Sequence, residues 1–179
     1  MTPAGYIAKK IHSSPDWLKA GTVSDIYSVS NCISKAFCDY IPHWKHNGYW
    51  LFNSPDIIRD IAGAEKLDLS RFSMFYYEVH EQQFDDELNA WQPFGADASF
   101  VTDIQAPSGK VFEGFDVVSF YALSAPECSP LSCNHMAESI PVNAHCLLAN
   151  FEEAKQLLES NAFKGCEPGP YRIFSVYSF

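Results

Sequence analysis

The chain has 179 residues, of which 47% are hydrophobic, 15% aromatic and 19% charged. That length and balance fit one domain over residues 1–179 with a buried core, and exclude a disordered chain. A formal net charge of −10 argues against a nucleic-acid binder, whose phosphate contacts need a basic face.

The opening "MTPAGYIAKKIHSSPDW" lacks the apolar run of a signal peptide. No uninterrupted apolar stretch approaches the ~20 residues that span a bilayer. The expectation is a cytoplasmic protein without a membrane segment, whose six cysteines are thiols and not a disulfide framework.

A short helix is expected to start at Ser14-Pro15. "DIYSVSNCI" (25–33) is rich in strand formers, and "YWLF" (49–52) is a short apolar strand candidate. Ser54, Pro55 and Asp56 then read as N-cap, first helical position and acidic first turn. Ile57, Ile58, Ile61 and Ala62 give that helix one buried face, and Gly63 can close it. "RFSMFYYEVH" (71–80) is apolar on both faces, which suits a central strand covered on both sides. "ASFVTDIQ" (98–105) and "FEGFDVVSFYAL" (112–123) flank "APSGK" and read as a hairpin. "SPLSC" repeats the Ser-Pro helix entry at Ser129-Pro130. "AHCLLA" (144–149) reads as a strand, "NFEEAKQLLES" as a helix capped by Asn150 with Glu153 three residues on, and "YRIFSVYSF" (171–179) as a closing strand.

Residues 49–80 and 144–179 thus share one plan of strand, capped amphipathic helix and aromatic strand. The fold class is α+β: a mixed, largely antiparallel sheet with a few short amphipathic helices packed on it, built in part from two similar strand–helix–strand units.

Charge is distributed unevenly. Between Arg71 and Lys155 the only basic residue is Lys110, against thirteen carboxylates. Within that interval "EVHEQQFDDELNAWQPF" (78–94) interleaves Phe84 and Trp91 with Glu81, Asp85, Asp86 and Glu87. Aromatic anchors inside a charged rim are the make-up of a protein interface, and acidic side chains steer a basic partner. Glu78 and His80 share a strand face and Glu81 follows, a pairing that reads as the wet end of a strand.

The stretch "APECSPLSCNHMAESIPVNAHC" (125–146) places three cysteines and two histidines close together. A zinc site is not expected. His145 and Cys146, adjacent on a strand, point to opposite faces, and His43 and His46 sit beside Pro42 in a non-helical context. On a helix from Ser129, Cys133 falls with Met136, Ala137 and Ile140 on the inward stripe. Cys128, in the loop before the cap, is the better candidate for a reactive thiol. Glu127, Cys128, Asn134 and His135 would line a pocket where a strand end feeds a helix N-terminus.

Nucleotide-binding, zinc-protease, serine-hydrolase and EF-hand motifs are absent. No metal or cofactor is expected. The sequence therefore points to a binding protein whose acidic, aromatic surface (Glu81, Phe84, Asp85, Asp86, Glu87, Trp91) recognises a basic protein, as an immunity protein or an inhibitor would. The alternative is a small enzyme or ligand-binding protein with its pocket at 127–135.

Overall fold

The computed structural model describes residues 1–13, 15–30, 47–94, 103–121 and 126–179. In chain order its elements are β1 (Thr2–Lys9), β2 (His12–Ser13), β3 (Asp25–Ile26), α1 (Pro55–Glu65), β4 (Ser73–Val79), β5 (Gln82–Asp85), β6 (Ala90–Pro93), β7 (Val111–Ser119), α2 (Phe151–Glu159) and β8 (Tyr171–Ser178). Single 3₁₀ turns occupy Leu69–Arg71 and Met136–Glu138.

The main sheet is antiparallel throughout, with β4 between β1 and β8, and β7 on the other side of β8. The hairpin β5–β6 joins through one pairing, Phe84 with Tyr171. This is the α+β architecture expected, with two helices and a largely antiparallel sheet. Among the described residues no helix is long and apolar enough to cross a membrane.

The two halves of the chain repeat one device. Asn47 donates its amide to the Ala4 carbonyl (2.7 Å) and accepts from the N–H groups of Tyr49 (2.9 Å) and Leu51 (3.3 Å). Asn143 does the same with the Glu113 carbonyl (2.6 Å) and the N–H groups of His145 (2.9 Å) and Leu147 (3.1 Å). Each hook presses the following residue onto a strand edge. Phe52 exchanges two backbone hydrogen bonds with Tyr6, and Leu148 two with Phe115. Each crossing needs room for a close approach, which a glycine supplies: Gly5 at φ +137 in the first half, Gly114 at φ +148 in the second. A bulge precedes each glycine, at Pro3/Gly5 and Phe112/Gly114.

The register makes the relation between the halves geometric. Gly5 pairs with Tyr77, Tyr77 with Val176, and Val176 with Gly114. Exchanging the halves maps this line onto itself, so a local two-fold passes between β4 and β8. The helices follow the same rule, since α1 contacts β1 as α2 contacts β7.

Asn150 caps α2, accepting from the Glu153 N–H at 2.8 Å. Ser54 precedes α1 in extended conformation but its hydroxyl makes no cap bond, and Pro55 starts that helix. Gly63 does not close α1. The helix runs on to Glu65 and stops at Lys66, whose left-handed N–H bonds the Ala62 and Gly63 carbonyls.

Both faces of the sheet are covered, as the two-sided apolar pattern of β4 requires. On the face carrying Lys9, Phe75, Tyr77, Asp116 and Phe174 lie the loops: Tyr27 rests on Phe75 and Tyr49 on Phe174. On the other face Phe151 of α2 packs on Phe115. Lys110 crosses Tyr177 and Tyr76 there, and donates to Glu78 at 2.5 Å.

Several expected elements differ. Of 25–33 only Asp25–Ile26 is a strand, paired with β2, and 31–33 lie outside the described residues. Strand 98–105 also falls partly outside. Residues 103–105 carry no strand, and β7 pairs with β8 and not in a hairpin with them. Ser14 lies outside the described residues, and Pro15–Trp17 form a turn and no helix. The 49–52 and 144–149 segments are not strands. Each is a hooked turn with one bridge, left-handed at Trp50 (φ 57) and Cys146 (φ 60).

Candidate functional site

The acidic–aromatic segment folds as the β5–β6 hairpin, and its turn is built by its own carboxylates. Asp85 accepts from the Leu88 N–H at 2.9 Å, and Asn89 takes the left-handed conformation that closes the turn. Asp86 accepts from the Gly169 N–H at 2.9 Å, tying the turn to the segment before β8. Glu81 and Glu87 are exposed, and Leu88 at the tip is 66% exposed.

Phe84 and Trp91 face each other across the hairpin with ring centroids 5.3 Å apart, but their fates differ. Phe84 is 2% exposed and belongs to the core with Val117, Leu158 and Ile173. It is therefore not an anchor that a partner can reach. Trp91 is half-buried. Its indole N–H donates to Glu159 at 2.7 Å, the Lys155 ammonium lies 5.6 Å from its ring, and His80 packs on its edge. His80 also packs on Phe151, and its pKa is lowered, chiefly by burial. Glu78 takes the Tyr177 hydroxyl at 3.0 Å as well as Lys110, so Glu78 and His80 are packed groups and not the wet end of a strand.

A cleft of about 440 Å³ opens between the hairpin turn, the end of α2 and residues 161–168. Its floor is Phe84, Leu158, Phe163 and Tyr171; Asp86, Asn89, Asn161 and Lys164 stand at its rim. The Tyr171 hydroxyl donates to the Glu167 carbonyl, which ties that ring to the segment before β8. Cys166 also lines the cleft, with its thiol pushed up by burial and by Glu167. The sequence named the hairpin residues. It missed the contributions from 158–171, which reach the hairpin through the Phe84–Tyr171 pairing and the Trp91–Glu159 and Gly169–Asp86 hydrogen bonds.

The corner at 127–135 does not converge. The expected helix from Ser129 forms only one turn, because His135 is left-handed (φ 62) and breaks it before Met136. Glu127 extends the edge of β7, its N–H bonding the Ser119 carbonyl at 2.9 Å. Cys128 is 4% exposed, Asn134 is half-buried, and His135 is exposed against the Trp17 ring and 3.2 Å from Glu138. The two thiols have exchanged the expected roles: Cys133 is partly exposed, with Ser30 Oγ 3.6 Å from its sulfur, while Cys128 is packed. A maleimide in native buffer is therefore expected to label Cys133 well before Cys128, with mass spectrometry as the readout. Earlier labelling of Cys128 would contradict this packing. Cys146 is buried with its thiol pushed up to about 12, mainly by desolvation. Among the described residues no three His, Cys, Asp or Glu side chains are grouped to hold a metal ion. His43 and His46 lie outside the described residues.

One charged cluster was hidden in strand sequence. Asp116 is fully buried, accepting from the hydroxyls of Ser28 (2.7 Å) and Ser129 (2.6 Å) and from the Val29 N–H (2.8 Å). Lys9, 1% exposed, donates to the carbonyls of Ser28 (2.5 Å), Val29 (2.9 Å) and Ser30 (2.6 Å). Burial pushes the Asp116 carboxyl above the ordinary carboxylate range, although the three hydrogen bonds and the Lys9 charge pull against it. These groups bind the loop 28–30 of the first half to β1 and β7 together. Asp116 thus leaves the tally of surface carboxylates.

No protein-family model, curated protein or solved structure matches the chain.

Proposed function

We propose that this chain is a cytoplasmic binding protein that recognises a basic protein through the β5–β6 hairpin and the neighbouring end of α2, as an immunity or inhibitor protein does. The carrying observation is the cleft of about 440 Å³ that opens beside this acidic hairpin. Asp86 lines it, Glu87, Glu159 and Glu167 are exposed next in sequence to lining residues, and Glu81 is exposed at the far end of the hairpin. A surplus of negative charge beside a concave opening, here offset in part by Lys164, favours encounter with a positive partner.

The burial of Phe84 changes the mechanism from the one the sequence suggested. The protein offers an apolar recess, and the anchor comes from the partner. Trp91, held by Glu159 and Lys155, packs on Phe84, a residue of the cleft lining.

Selection from an unbiased peptide-display library tests this reading. The counter-target is the charge-reversed pair Glu81→Lys/Glu87→Lys, two exposed positions. The expected result is enrichment of Lys- and Arg-containing sequences that the reversed protein does not retain. Enrichment of acidic or uncharged sequences would overturn the reading.

A further inference from the structure

We infer that the cleft seats a single lysine or arginine side chain of the partner, an inference that rests on the acidic-face reading above. Its volume of about 440 Å³ lies at the small end of the ~300–1,000 Å³ range of ligand pockets, which admits a long side chain with its flanking backbone and excludes a folded segment. The floor is apolar and partly aromatic, which suits a methylene stem and the face of a cation. Two features select for positive charge at the mouth. Asp86 stands at the rim. The end of α2 closes one side, and that helix has no basic residue in its last turn. That end carries the negative pole of the helix dipole, which favours a cation. Lys164 is the opposing charge at the rim, so the geometry makes a signed prediction: removing it strengthens binding.

Blocked pentapeptides Ala-Ala-X-Ala-Ala, with X arginine, lysine, citrulline or norleucine, are titrated into the full chain and followed by amide chemical shifts. Citrulline has the arginine shape without its charge. The arginine and lysine peptides are expected to shift Asn89, Leu158, Phe163 and Tyr171 saturably, with citrulline about tenfold weaker or more. Lys164→Glu is expected to bind the arginine peptide about two- to fivefold tighter, the size of an exposed ion pair. Lys164→Trp, at the same exposed position, fills the mouth and abolishes the shifts. Thermal melts confirm that both variants fold. Equal binding of citrulline, or unchanged binding by Lys164→Trp, overturns the inference. If basic peptides shift Glu81 and Glu87 but leave Leu158 and Tyr171 unmoved, the inference falls while the basic-partner reading stands. If no peptide is distinguished by charge anywhere, both fall.

Discussion

Asp116→Ala is expected to destabilise the fold by about 3–5 kcal/mol at neutral pH, the size of breaking a buried charge pair from one side. Three donors lose their acceptor at once: the Ser28 and Ser129 hydroxyls and the Val29 N–H. The Lys9 ammonium stays buried without the nearby negative charge, and a cavity opens under the loop. Asp116→Asn keeps the shape and two acceptor directions, so its cost is smaller. The pair of variants separates packing from charge through pH. The folded carboxyl titrates above its unfolded value because burial dominates. Its contribution to stability is therefore full below the unfolded value of about 3.9 and is lost as pH rises through the folded value. Asp116→Asn lacks this loss. Urea midpoints should show the wild type falling relative to Asp116→Asn as pH rises from about 4. Parallel pH profiles for the two proteins would contradict a buried, burial-shifted Asp116.

Gly5→Ala and Gly114→Ala are each expected to destabilise by about 2–5 kcal/mol, combining overpacking with backbone strain. A Cβ on Gly5 would lie 2.8 Å from both Leu51 Cβ and the Phe52 carbonyl oxygen. On Gly114 it would lie 2.7 Å from Leu147 Cβ and 2.9 Å from the Leu148 carbonyl oxygen. Both φ angles are also ones that side-chain-bearing residues rarely adopt. The matched size is the point, because the two glycines do the same task in two halves. Gly63→Ala is the control. It sits in helix α1 with nothing within 4 Å of the added carbon, and should stabilise by about 0.5–1 kcal/mol. Denaturant midpoints of the three variants give the comparison. A neutral Gly5→Ala beside a destabilised Gly114→Ala would break the equivalence.

The sequence made the helices and the two central strands legible for definite reasons. Pro55 and Asn150 mark helix starts, and the doubly apolar 73–79 and the aromatic 171–178 mark strands buried on both sides. β1 was not among the expected strands; Pro3 and Gly5, residues that ordinarily weaken a strand, sit at a bulge beside the Phe52 crossing. The repeat was visible in plan but not in extent. "NGYWLF" and "NAHCLL" share only the hooking asparagine and one leucine, and the first strand of each half lies well upstream of its hook. Helical phasing of 129–140 failed at one residue, because apolar periodicity does not register the left-handed backbone of His135. Counting Asp116 with the surface acids failed for a similar reason. A carboxylate in an apolar strand is buried only if other segments bring it donors, and Ser28 and Val29 come from 87 or more residues away.

That last correction narrows the acidic surface without removing it. With Asp116 buried and Glu78 paired to Lys110, the exposed carboxylates that remain around the cleft are those of the hairpin and the α2 region. Four of the thirteen carboxylates of the acidic interval, Glu81, Asp85, Asp86 and Glu87, belong to the hairpin segment.

The most direct test is the salt dependence of the dissociation constant for the strongest display-selected segment. Fluorescence anisotropy measures it on the wild type and on Glu81→Lys/Glu87→Lys, between about 0.05 and about 0.5 M salt. Affinity is expected to fall by about an order of magnitude or more for the wild type, and to show a reversed or flat dependence for the variant. Wild-type affinity that ignores salt, or a variant that binds the same segment equally well, would contradict this.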